Sequence, residues 1–493
     1  MGVTAVALWG VAQGQRLAQP AKVAVLVAIS APAVAQGVWE VTPRISVGAE
    51  VSDNVARAPR GEEQSDGSAN LRPGIAIIRD GPRLDLNINY SMNRSLHRRR
   101  SELDRSTHSL RGQGVLEMLA ERAFIEGSVR RQLYRDNPFQ AGRSADRPEL
   151  TRIRLSPYWQ ARYGVFAEQE TRYVYEQMRY HRSARQPAHA HRLSYQLASG
   201  SAFNRPFWSL QATGNENRYD DPQRQPVSRL DGTASAGYRF GRSLRLSASA
   251  GAGEYRVDEG PRQDSSNWSI NAGWAPGSNT QLSGSWGKSN MEVRDRETHR
   301  EQRSLEINHQ TPRMTYGRSY REEITDFGID PQQQAMLDLL DEIRQPGGDV
   351  PALQVDDRVA FTETWQARWS YQWSYNTLRL TFRQREVDRS RVLADPDAEQ
   401  VDLVRGVNAS WSRPLGARSE VNWRSGYNRH QALAGAGDRL DEWRTALRLS
   451  REIGRRSRAS MEYSHHFSRR EPPQAEDIER RENRLSVLFT MTL

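Results

Sequence analysis

The stretch Leu84-Asp-Leu-Asn-Ile-Asn-Tyr-Ser-Met-Asn93 alternates apolar and polar side chains without a break. Successive side chains of a β-strand point to opposite faces, so this stretch predicts a strand with one apolar face and one polar face. The same alternation returns at 244–250, 365–373 and 378–383, and it continues through the last segment, 484–493. Because this pattern dominates the chain, the sequence predicts an all-β fold.

Turn residues divide the alternating segments, and the connections are short and long in turn. Ten short turns lie at 80–82, 120–121, 163–164, 204–206, 241–242, 276–278, 311–312, 374–376, 414–416 and 453–454. Eleven longer polar connections lie near 54–69, 94–104, 135–150, 180–190, 219–228, 257–266, 293–300, 326–357, 390–400, 430–438 and 469–481. Together they predict 22 strands, with both ends of the chain on the short-turn side.

A meander with short turns at one end and long loops at the other is typical of an outer-membrane β-barrel. Strands of about 13 residues, tilted near 45°, match the thickness of a bilayer core. Closure is needed because an open sheet edge in lipid would leave backbone groups unpaired. We therefore predict one transmembrane antiparallel up-and-down β-barrel of about 22 strands, with short periplasmic turns and long external loops, in the outer membrane of a Gram-negative bacterium.

Aromatic residues are frequent at the segment ends on the apolar side of the pattern. They are Trp39, Tyr90, Tyr163, Trp208, Tyr238, Trp268, Trp274, Trp286, Tyr316, Trp411 and Trp443. Such residues suit the interfacial girdles of a membrane barrel. The alternative is a soluble β-sandwich, propeller or adhesin array with these rings in its core, although we find neither a blade-length repeat nor domain linkers.

The composition fits a barrel better than a helical membrane protein. The chain has 37% hydrophobic residues, 26% charged residues and a mean hydropathy of −0.81. A barrel explains this polar average because half of each strand faces an aqueous lumen and the long loops face water. The chain has no Cys, which excludes disulfide frameworks, thiolate metal sites and Cys nucleophiles.

The net charge of +10 is carried almost entirely by arginine, since Lys22 and Lys288 are the two lysines of the chain. This bias either reflects anion binding or follows from a GC-rich genome. We do not expect nucleic-acid binding, because the arginines are spread over all segments of an exported chain.

The first residues have the pattern of a secretory signal peptide. Arg16 and Lys22 precede the apolar stretch 23–29, and the small-residue triplet Ala33-Val-Ala35 follows. We predict a signal peptide over 1–35 and a single barrel domain over 36–493; an N-terminal membrane anchor is the alternative. Because the strands begin close to the expected cleavage site, we expect no separate N-terminal plug domain, which leaves the long loops to close the lumen.

Four segments resemble a known family. They are Trp39–Asn54, Leu71–Ile75, Leu84–Tyr90 and Arg130–Tyr134. In sequence and in the layout of the chain they resemble the outer-membrane β-barrel proteins associated with the PEP-CTERM (exosortase) system. The resemblance implies an envelope role in the export of exopolysaccharide or matrix material, and it implies no catalytic residue and no cofactor.

The polar face of a barrel strand lines the lumen, and it carries many arginines here. The candidate anion path consists of Arg152, Arg154, Arg245, Arg368, Arg379, Arg383, Arg424, Arg444 and Arg448. A ring of guanidinium groups can guide carboxylates, sulfates or phosphates, since arginine stays charged and binds them bidentately. The alternatives are pairing with lumen acids such as Asp85, Glu306 and Glu462, or genomic bias alone.

The longest connection, 326–357, contains a segment with helical spacing. Asp330 and Pro331 favour a helix start. Apolar residues follow at Met336, Leu337, Leu339, Leu340 and Ile343, and acidic ones at Asp338, Asp341 and Glu342. We predict a short amphipathic helix there; it either gates a basic lumen or packs on neighbouring external loops.

The charged runs 97–100 and 469–473 either contact lipopolysaccharide at the outer rim or are simply solvated. Further expected partners are outer-membrane lipid, the barrel assembly machinery that reads a terminal strand, and an anionic polysaccharide or envelope export proteins. We find no catalytic constellation, nucleotide-binding motif or metal-ligand spacing, so we expect neither an enzyme nor a cofactor. The sequence thus predicts a pore or export channel; the alternative is a non-conducting barrel that anchors envelope or matrix machinery.

Overall fold

A computed structural model describes residues 38–493 except 134–148, 182–185, 221–224, 258–261, 294–295, 327–358, 389–400, 433–438 and 473–475. The predicted signal peptide and all residues of the predicted gate helix, Pro331, Leu337, Asp338, Leu340, Asp341 and Glu342, lie outside the described residues.

The described residues form 22 strands and one short 3₁₀ helix, Ser101–Leu103. The strands are β1 Val38–Ser52, β2 Asp66–Asp80, β3 Leu84–His97, β4 Arg105–Leu119, β5 Ala123–Leu133, β6 Glu149–Tyr163, β7 Ala167–His181, β8 Ala188–Ser199, β9 Pro206–Tyr219, β10 Val227–Phe240, β11 Leu244–Val257, β12 Gln263–Gly277, β13 Thr280–Val293, β14 Arg296–Gln310, β15 Met314–Asp326, β16 Val359–Trp373, β17 Asn376–Asp388, β18 Val401–Pro414, β19 Ser419–Ala432, β20 Arg439–Gly454, β21 Ser457–Glu471 and β22 Ile478–Thr492. Across the part of the chain described, no helix has the length and apolar character needed to span a membrane.

Each strand pairs antiparallel with the next strand along the chain, and β22 pairs with β1. The sheet is therefore a closed barrel, and the prediction of 22 strands is confirmed. All ten predicted short turns join strands at one end, here called the short-turn end; the other end is the long-loop end. One prediction is wrong: 293–300 is not a long connection, because β13 continues to Val293 and β14 starts at Arg296.

The two faces of the sheet differ as the alternation predicts. The outer face carries large apolar side chains that remain exposed, such as Leu230 (60%) and Ile270 (52%). By the alternation of each strand, all eleven predicted girdle aromatics also lie on the outer face. On the inner face, side chains two strands apart meet across the concave sheet: Arg172 of β7 donates to Glu126 of β5 at 2.8 Å.

The barrel closes where β1 meets β22, a contact that we call the seam. The seam pairs Arg44–Ser52 with Arg484–Thr492, whereas β1 pairs with β2 along its whole length. The Ser46 and Thr490 hydroxyls are 2.8 Å apart across the seam on the inner face.

The β1–β2 loop reinforces the seam from the long-loop end. The buried carboxylate of Glu482 accepts hydrogen bonds from Ser52 Oγ (3.0 Å) and from Arg57 Nε (2.7 Å). Asn54 is fully buried, and its side-chain amide donates to the backbone oxygens of Ala58 and Arg481 at 2.9 Å each. The loop therefore joins two strands that are far apart in sequence.

Candidate functional site

The nine predicted lumen arginines lie on the inner face, as their strand alternation requires, but they do not form a closed ring. Six of them lie on neighbouring strands β16 to β20: Arg368, Arg379, Arg383, Arg424, Arg444 and Arg448. We call these six residues the arginine wall. The other three are Arg152 and Arg154 on β6 and Arg245 on β11.

Two of the three arginines outside the wall are held by neighbours. Arg152 Nε lies 2.7 Å from a carboxylate oxygen of Glu176, a residue of the adjacent strand. The guanidinium of Arg245 stacks on the inward ring of Phe207, 3.9 Å from its centroid. Each contact engages the guanidinium group and so leaves less of its positive charge available to a ligand.

Within the arginine wall, pairing is uneven. Arg448 Nε lies 2.7 Å from Glu462, which confirms one predicted carboxylate partner, and Arg444 lies 3.1 Å from Glu442. Arg368 donates to the neutral side chain of Gln366 at 3.0 Å.

Arg379, Arg383 and Arg424 have exposed side chains with no ion pair or side-chain hydrogen bond to any other described residue. We call these three guanidinium groups the available charges of the wall; Arg368 also has no described carboxylate partner, but its guanidinium group is held by Gln366.

Arg379, Arg424 and Arg444 border one cavity of about 560 Å³ on the inner face. This volume falls within the range of small-molecule sites. Small side chains form much of the cavity floor, including Ser410 of β18 and Ala446 of β20. The short side chains leave room in front of the sheet, whereas the arginines project from it on both sides.

The cavity also contains residues that were not predicted. Arg484 of β22 and Arg57 of the β1–β2 loop line it, as does Glu482, the carboxylate that binds Arg57. Alternation in the terminal strand could have placed Arg484 on the inner face. No local pattern places Arg57 there, because its position depends on how the loop folds back onto β22.

Chemically, this site is suited to bind anions by hydrogen bonding and charge. A guanidinium group presents a planar set of donors that matches carboxylate, sulfate or phosphate oxygens, and it remains positive at any relevant pH. Among the described residues, no three His, Asp or Glu side chains are grouped so that they could hold a metal ion.

A closed antiparallel meander of 22 strands, with an apolar outer face and a polar inner face, is the fold class of the large outer-membrane β-barrels.

Several solved structures share this fold. The FrpB iron transporter from Neisseria meningitidis (F3-3 variant) is 10% identical, with a TM-score of 0.52 over 91% of this chain and 81% of that chain. The F5-1 variant of FrpB is 9% identical, with a TM-score of 0.53 over 91% and 82%. BauA, the ferric preacinetobactin receptor from Acinetobacter baumannii, is 8% identical, with a TM-score of 0.53 over 92% and 80%. No family model and no curated protein matches the sequence. At these identities the similarity shows a shared fold alone.

Proposed function

We propose that this protein is an outer-membrane barrel that passes anionic solutes or an anionic polymer through its lumen. The observation that carries the proposal is the arginine wall, in which Arg379, Arg383 and Arg424 face the lumen without a carboxylate partner among the described residues. Fixed positive charges along a pore lower the barrier for anions and raise it for cations. The names of the similar structures, an iron transporter and a ferric preacinetobactin receptor, support a transport role and leave the solute open.

The outer face supports the membrane location. Exposed apolar side chains such as Leu230 and Ile270 are costly in water and favourable in lipid. Trp268 and Trp286 lie on this face with their ring centroids 5.0 Å apart, as expected for an interfacial girdle. We therefore infer an outer-membrane location. Because outer-membrane barrels have short periplasmic turns and longer external loops, we assign the short-turn end to the periplasm and the long-loop end to the exterior of a Gram-negative cell.

The outer face also carries a set of ion pairs toward the long-loop end of β19 to β21. Asp441 lies 2.8 Å from Arg429 and 2.6 Å from Arg439, and Arg469 lies 2.6 Å from Asp477. Charged side chains are expensive in hydrocarbon, so these pairs mark the level of the lipid headgroups. In the outer leaflet those headgroups belong to lipopolysaccharide, which we propose as a partner. We also propose that the barrel assembly machinery recognises β22.

A finer proposal follows from the family resemblance of the four segments that begin in β1, β2, β3 and β5. We infer that the barrel serves an exopolysaccharide or exosortase-linked envelope system and that its cargo or partner belongs to that system. A strain that lacks the protein should display less acidic surface polysaccharide than the parent. An unchanged amount of surface polysaccharide would contradict this association and leave the pore proposal intact.

Single-channel recording in a planar bilayer tests the pore proposal. Under a salt gradient we expect a reversal potential of the sign given by anion selectivity, and a smaller one for the double variant R379Q/R424Q. The matched control is R458Q, which removes an inner-face arginine that lies 2.8 Å from Glu452 near the short-turn end. Cation selectivity would overturn the proposal, and a purified folded protein without any conductance would favour the anchoring alternative.

A further inference from the structure

Two available arginines of the wall lie in register on either side of a serine. Arg379 of β17 is paired with Ser410 of β18, and Ser410 is paired with Arg424 of β19. All three residues border the same cavity. Adjacent strands are about 4.8 Å apart, so the backbones that carry the two arginines are separated by about 10 Å. The site therefore presents two anion-binding groups at a fixed spacing.

The other positive charges of the cavity are largely neutralised. Each of its remaining three arginines has a carboxylate partner: Arg57 with Glu482 at 2.7 Å, Arg444 with Glu442 at 3.1 Å, and Arg484 with Glu50 at 3.6 Å. An incoming anion must compete with a carboxylate at those positions, whereas no described carboxylate pairs with Arg379 or Arg424. The two-point site is thus the part of the cavity with the strongest attraction for a ligand.

The rest of the lining indicates which polyanion fits. The cavity presents hydroxyl and amide side chains, among them Thr381, Asn408, Asn428 and Ser464. Among the described lining residues there is no Phe, Tyr or Trp on which a nucleobase could stack. Two histidines also line the cavity, but the His466 ring is buried and strand alternation directs the His465 ring to the outer face. Many hydrogen-bonding groups without an exposed aromatic ring in the lumen suit a hydroxyl-rich acidic glycan better than a single-stranded nucleic acid.

We propose that Arg379 and Arg424 bind a linear acidic glycan through two of its acidic groups at once, with Ser410 and the nearby amides binding its hydroxyls. This inference rests on the proposed function, because the site lies in the proposed path of the solute. Two linked contacts make the second one intramolecular, so a polymer gains affinity that a monomer lacks. Arg379 and Arg424 then select a polymer over a monomer, in addition to contributing positive potential to the lumen.

The test is isothermal titration calorimetry on the purified, folded, full-length barrel in detergent at fixed salt. The probes are a short linear galacturonate oligomer, monomeric galacturonate and a single-stranded oligonucleotide of equal charge. We expect the oligomer to bind wild type more tightly than either other probe. R379Q and R424Q should each weaken oligomer binding by at least about tenfold. Monomer binding should change by no more than about twofold, since one of two equivalent contacts remains.

Two controls separate binding from folding and from general charge. R458Q removes one positive charge elsewhere on the inner face and should leave oligomer binding unchanged. The pair R379K and R424K retains charge and loses the planar donor fork, so each should weaken oligomer binding less than the glutamine variant. Intact folding of each variant is checked by its resistance to SDS at room temperature.

Oligomer binding that is equal in wild type, R379Q and R424Q would overturn the inference. Equally tight, variant-sensitive binding of the oligonucleotide would overturn the assignment to a glycan. The bilayer experiment keeps the two proposals separate: an anion-selective pore that does not bind the oligomer refutes only the two-point site. Oligomer binding by a non-conducting barrel refutes only passage through the pore.

Discussion

The seam gives the sharpest stability prediction. Glu482 is 6% exposed and accepts from both Ser52 and Arg57, so E482Q removes a buried negative charge and leaves Arg57 without its carboxylate. Hydrogen bonds to charged groups contribute about 1.5–3 kcal/mol, and the partial exposure of Arg57 places this one near the middle of that range. We expect the free energy of unfolding to fall by about 2 kcal/mol, roughly 30-fold in the unfolding equilibrium constant.

The assay is equilibrium unfolding in urea in detergent micelles, followed by the fluorescence of the tryptophans of the barrel. The matched control is E452Q, which removes the carboxylate partner of Arg458 from a pair in which both side chains are at least half exposed. E452Q should lower the free energy of unfolding by less than about 0.5 kcal/mol. A double-mutant cycle of E482Q with R57Q should be non-additive, because both substitutions remove the same contact. Equal destabilisation by E482Q and E452Q, or full additivity of the cycle, would refute our account of the seam.

Three further predictions concern the two faces and the close packing of the sheet. I270R places a charge on the lipid-facing side and should destabilise the barrel in bilayers by about 2–4 kcal/mol. N271R places the same charge on the lumen side and should change the stability little. Equal effects of the two substitutions would contradict the assignment of faces. G237A should lower refolding yield, because the added Cβ would clash with the carbonyl oxygen of Leu246 and the ring of Phe207. The control is G273A, whose added Cβ would meet no atom within 4 Å. E176Q removes the carboxylate partner of Arg152 on the neighbouring strand and should lower the free energy of unfolding in the same urea assay. A variant as stable as wild type would show that this ion pair contributes nothing to stability.

The strand number could be predicted because it depends only on local alternation and on turn residues. Leu84–Asn93 shows its two faces in the sequence itself, and the register then follows from the short turns. The misplaced connection near 293–300 is polar enough to be a loop, but polar residues also suit the inner face of a strand, so composition alone could not separate the two. In such places only the pairing partner, here β13 with β14, decides the outcome.

The candidate site could be predicted only in part. Alternation placed Arg379 and Arg424 on the inner face, yet it carries no information on partners in other strands. The contact between Arg172 and Glu126, 46 residues apart, arises from the curvature of the closed sheet. Whether an arginine is neutralised or available therefore depends on the tertiary structure, as does the position of Arg57.

The seam also has a consequence for the order of folding. Every other pair of neighbouring strands is adjacent along the chain, so hairpins can form one after another with small loss of chain entropy. The contact between Ser46 and Thr490 spans 444 residues and can form only when both ends of the sheet are present. Until then β1 and β22 are two open edges with unpaired backbone groups, able to pair with other chains. We therefore expect closure of the seam to be the slowest and most aggregation-sensitive step of assembly. The side chains around Glu482 should affect the rate at which the closed seam reopens more than the rate at which it closes.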